Sequence, residues 1–178
     1  MRRILIENNM VDPKKCSYGF PWKSDSICIN FRMPEECVLT SDIDKITDKD
    51  NIETLVIGCE LDSYDFISDM VNLKYLYIYT GENIKNLDFT KKLVFLQQLY
   101  IVGTHISDLA PLYSLAEGKK RFMKNEPNAM KIMDYGIDGI CIDTDCEIDN
   151  TDSLLDAGVY ISELIIGKKR VRRKKGTG

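Results

Sequence analysis

The chain has 178 residues, 44% of them hydrophobic and 29% charged, the make-up of one ordinary globular domain. Its net charge of −4 conceals an asymmetry: residues 1–166 hold 17 basic and 28 acidic residues, a net of −11, and an acidic body of this kind excludes a globular nucleic-acid-binding surface. No apolar run approaches the roughly 18 residues of a membrane span or the roughly 7–15 of a secretory signal, so the expected location is cytoplasmic and the six cysteines are expected to be reduced thiols.

In chain order, Tyr18, Phe20 and Trp22 form an aromatic group ahead of the first strand signal and are expected to cap the end of the core. Ile27 and Ile29 in "SICINF" mark a first, irregular coil, so residues 1–51 read as cap plus coil. From residue 52 a pattern repeats. Ile52, Leu55 and Ile57 are followed by Leu61, Tyr64, Ile67 and Met70. Leu73, Leu76 and Ile78 are followed by Ile84, Leu87 and Leu93. Leu96, Leu99 and Ile101 are followed by Ile106, Leu109, Leu112 and Leu115. Each copy opens with period two, a short strand with one buried side, and closes with period three to four, a helical or 3-10 turn. Such a unit buries its apolar side only against another copy.

Residues 52–115 thus hold three repeats. Residues 116–136, charged and broken by Pro127, are expected to form two short inserted helices or a degenerate repeat. The strand pattern returns at Ile137, Ile140, Ile142 and at Ile161, Leu164, Ile166, so residues 137–167 read as last repeats and closing strand. The basic run Lys168, Lys169, Arg170, Arg172, Arg173, Lys174, Lys175 reads as a disordered tail over 168–178.

The spacing and the "ISDLAPL" segment make the chain similar to the leucine-rich-repeat family, in its short internalin-like form. The resemblance covers 52–115 well and 137–166 moderately. It implies an α/β fold, a leucine-rich-repeat solenoid with a parallel sheet on the concave side and short helices or 3-10 turns on the convex side. The family's turn-capping Asn is replaced by Thr104 and Asp145 in two repeats.

Two groups of residues spell chemistry. His105, Ser107 and Asp108 lie within one tight turn, and residues so close rarely align as a hydrogen-bonded triad with an oxyanion hole. Asp108 is instead expected to cap the helical turn that follows. Asp143, Asp145, Glu147 and Asp149 alternate in "DTDCEIDNTD", but a calcium loop starting at Asp143 needs Gly where Ile148 stands and Glu where Leu154 stands. No CxxC pair or Gly-rich phosphate loop is present, and one His rules out most Cys/His zinc patterns. No catalytic residue, metal ligand, cofactor or small-molecule substrate is indicated.

If the sheet faces outward as the resemblance implies, its exposed positions are Thr54, Val56, Gly58; Tyr75, Tyr77, Tyr79; Gln98, Tyr100, Val102; and Gly139, Cys141, Asp143. Tyrosine gives large amphipathic contact area at low entropy cost. The expected function is a non-catalytic protein-interaction module whose binding residues are Tyr75, Tyr77, Tyr79, Gln98, Tyr100 and Asp143. The alternatives are an adaptor tethered to nucleic acid or anionic membrane by the basic tail and, less favoured, a carboxylate- or metal-dependent enzyme.

Overall fold

The computed structural model describes residues 5–6, 26–29, 49–57, 60–79, 81–125, 136–148, 150–157, 161, 163–167 and 169–171. Eight strands among them form one sheet: β1 (Leu5–Ile6), β2 (Ser26–Ile29), β3 (Thr54–Ile57), β4 (Tyr75–Ile78), β5 (Gln98–Thr104), β6 (Gly139–Thr144), β7 (Leu164–Ile166) and β8 (Lys169–Val171). Spatial order equals chain order. Strands β1 to β7 are parallel and β8 is antiparallel to β7.

The LxI signature becomes two rungs across this sheet. Leu55, Leu76, Leu99, Ile140 and Leu164 are consecutive register partners, and so are Ile57, Ile78, Ile101, Ile142 and Ile166. Alternation turns both rungs to one side of the sheet. There they are at most 8% exposed and belong to one apolar cluster. The cluster also takes Phe66 and Ile67 from the 3-10 turn Asp65–Asp69 and Phe89 from the 3-10 turn Asp88–Thr90, so the second half of each unit covers the core that its strand begins. Side chains tie neighbouring units together. The Asn72 amide donates to the Asp50 carbonyl at 2.7 Å, the Asn83 amide to the Leu61 carbonyl at 2.9 Å.

Two helices follow the later strands: α1 (Ala110–Asn125) after β5 and α2 (Thr151–Asp156) after β6. Helix α1 differs from expectation. It is one element starting six residues before the charged segment, and it absorbs the apolar end of the third repeat. Leu112, Leu115, Ala116 and Lys119 follow the i, i+3, i+4, i+7 spacing and all are buried, which makes a continuous helical stripe. Pro111 sits in its first turn, where a missing N–H costs nothing. Pro127 and the second expected helix lie outside the described residues, as do Tyr18, Phe20 and Trp22.

The basic segment also departs from expectation. Lys169–Val171 are not a disordered tail but strand β8, with Val171 opposite Leu164 and packed against the core. The reversal needs Gly167, whose φ of +50° is the left-handed conformation that tight hairpins use. Lys168, Arg172, Arg173, Lys174 and Lys175 lie outside the described residues.

Candidate functional site

With Leu76 and Ile78 turned inward, the pleat sends Tyr75 and Tyr77 of β4, and Tyr79 just after it, to the opposite face. The same rule sends Gln98, Tyr100 and Val102 of β5 and Gly139, Cys141 and Asp143 of β6 to that face. All nine are half-buried. Thr54 of β3 is half-buried there too, but Val56 is not available as expected: it is only 1% exposed. Gly58 is outside the described residues.

Register brings Tyr77 opposite Tyr100, and Tyr100 opposite Cys141. The Tyr77 hydroxyl donates to the Gln98 side-chain carbonyl at 2.5 Å. Tyr79 and Tyr100 meet diagonally across the strands, ring centroids 5.4 Å apart and planes at 50°, a tilted pair of the kind aromatic quadrupoles favour. The rings therefore hold one another in place, which lowers the entropy lost on contact with a partner. Burial pushes the Tyr77 hydroxyl above its ordinary pKa, with a smaller push from Tyr75, so it is a neutral donor at physiological pH. At the centre of the face the Cys141 thiol is pushed up by burial, then by Asp143 and Glu163, and stays protonated.

Comparison with known proteins brings no identification. No family model, no curated protein and no solved structure matches this chain.

Among the described residues no hydrogen bond joins His105 to Ser107 or Asp108; His105 instead meets a carboxylate forty residues on, with Nδ1 at 2.9 and 3.0 Å from the two oxygens of Asp145. That hydrogen bond is the main cause holding the Asp145 carboxyl below its ordinary pKa. The Cys146 thiol donates to Asp145 at 3.4 Å, and burial followed by that carboxylate raises its pKa, the opposite of an activated nucleophile. Asp108 accepts from the Ala110 N–H at 2.8 Å, in the first turn of α1 as expected, and from the Asn150 amide at 2.7 Å. Sequence reasoning missed Asn150 and the His105–Asp145 pair, because each partner lies 40 or more residues away.

Of the acidic run, Asp145 and Glu147 are exposed and Asp149 is outside the described residues. Among the described residues no group of three or more His, Cys, Asp or Glu is arranged to hold a metal ion. No described helix is long and apolar enough to cross a membrane. Open hollows among the described residues include two. One, of about 400 Å³, lies at the C-terminal ends of β5 and β6 and is lined by Glu82, His105, Asp143 and Asp145. The other, of about 490 Å³, lies between α1 and α2 beside Tyr113.

Proposed function

We propose that this chain is a leucine-rich-repeat solenoid acting as a non-catalytic protein-interaction module, and that it binds through the outward sheet face of β4, β5 and β6. One observation carries the reading. Tyr75 and Tyr77 of β4, Tyr79 just after it and Tyr100 of the adjacent β5 are half-buried on the face opposite the apolar cluster. Tyrosines on a rigid sheet present contact area without a loop to order, and the chemistry of a flat polar-aromatic face is recognition. The fold part rests on the repeat spacing and on strands that follow one another in chain order with their apolar rungs aligned.

The test is affinity capture with the wild-type chain and with Tyr77→Ala/Tyr100→Ala, read beside thermal unfolding. A partner held by the wild type is lost from the double variant, while unfolding free energy falls by no more than about 1–2 kcal/mol, the range for a solvent-side aromatic pair. A variant that unfolds, or one that keeps the partner, rejects the reading.

A further inference from the structure

The tyrosine face is bordered by carboxylates. Asp143 stands on it at the end of β6. Glu163 precedes Leu164, so alternation puts it on the same face, and its carbonyl accepts from the Ile140 N–H of β6. Glu82 and Asp145 join Asp143 around the hollow at the C-terminal ends of the strands. Cys141 lies between the carboxylates of Asp143 and Glu163, and its thiol is pushed up first by burial and then by those two. Lys74, which leads into β4, is held by Glu53 at 2.8 Å, and His105 is held by Asp145.

We propose that this face takes a peptide rich in arginine and lysine, presented by another protein; the proposal rests on the binding reading above and names its partner class. Charge complementarity selects the occupant. A cationic head finds Asp143 and Glu163 at the border of the face, and its methylene stem finds tyrosine rings. A guanidinium over a ring face is attracted by the ring's quadrupole as well as by the carboxylates. The chain's net charge of −4, with −11 over residues 1–166, favours approach of a basic peptide over an acidic peptide or a phosphate backbone.

The experiment titrates the full chain with three short labelled peptides followed by fluorescence anisotropy. One is rich in Arg and Lys, and the other two carry Gln or Glu at the same positions. The basic peptide binds at least about tenfold more tightly than the Gln peptide and weakens as salt rises; the Glu peptide does not bind. Asp143→Asn with Glu163→Gln costs about tenfold, and Tyr100→Ala costs a similar factor, by loss of charge pairing and of the ring contact respectively. Asp143→Glu keeps the charge and keeps binding, which separates electrostatics from misfolding. Equal binding of all three peptides, or unchanged binding by the charge variants, overturns the proposal. So does a basic peptide that binds only after Arg172, Arg173, Lys174 and Lys175 are all replaced by Ser, since the chain's own basic segment is then the occupant. If the basic peptide fails while a Tyr77- and Tyr100-dependent partner is still captured, only the partner class falls; if both fail, the binding reading falls with it.

Discussion

Asp108 and Asn150 form the tightest side-chain bridge between the turns that follow β5 and β6. Asp108 accepts from Ala110 and from Asn150, and the Asn150 carbonyl accepts from the Leu109 N–H at 3.2 Å. Replacing Asp108 by Ala removes a helix cap and strands the Asn150 amide, so unfolding free energy falls by about 1–2 kcal/mol. Asn150→Ala costs a similar amount, and the double variant costs less than the sum, because the two share one bridge. Chemical denaturation of the three variants reads this directly. The His105–Asp145 pair is a different case, with side chains 52% and 65% exposed. Its signature is in pH. A carboxyl held below its ordinary pKa stabilises the fold above that ordinary value, near 4, and the contribution is lost as pH falls toward the folded value. The Tm advantage of wild type over Asp145→Asn is therefore steady down to about pH 5 and shrinks below it. The Asp108 cap was legible because a cap acts on its own helix. Asn150 and Asp145 were not, since nothing local ties a residue to a partner forty positions away.

At the scale of elements, the rungs were the readable part. The spacing from Leu55 to Ile57, Leu76 to Ile78, Leu99 to Ile101 and Ile140 to Ile142 put each residue on the side that proves apolar. Leu99→Ala therefore opens a cavity between Leu76 and Ile140 of its own rung and costs about 2–5 kcal/mol, against the far smaller cost of Tyr77→Ala on the other face. The misreading came one turn later. Counting three residues beyond Ile101 and Ile142 pairs Thr104 with Asp145, but the register pairs Thr104 with Thr144. Strand β5 carries an extra residue between Ile101 and Thr104, with Gly103 at φ +72°, a bulge of the glycine type. A pattern of apolar residues says nothing of a bulge placed between them. The two threonines do the capping work: the Thr104 hydroxyl donates to the Asp143 carbonyl at 3.3 Å and that of Thr144 to the Ile106 carbonyl at 2.8 Å. Nothing lies within 4 Å of a Cβ built on Gly103, so Gly103→Ala pays only the left-handed backbone cost of about 1–2 kcal/mol. Gly103→Asn pays less, because Asn tolerates that region. Paired denaturation curves decide between a conformational penalty and a steric one.

For the molecule as a whole, the order of strands along the sheet is the order of the chain, and that arrangement was legible because each unit needs its neighbours. The extent of the helical layer was less so. Lys119, read as part of a charged insertion, is fully buried on the apolar stripe of α1, its ammonium included. The same holds for Lys169–Val171, where a run of positive charge hid a Val171 that reaches the core. Charge predicted exposure for these segments, and a few apolar atoms with a permissive Gly167 outweighed it.

Among the described strands β8 is paired with β7 alone, so it can peel away while every parallel ladder stays zipped. Its detachment would bare a row of backbone donors and acceptors on Leu164–Ile166, the kind of open border onto which a foreign strand crystallises into fibrils. The short lysine- and arginine-bearing flap thus doubles as a stopper against runaway lengthening of the sheet.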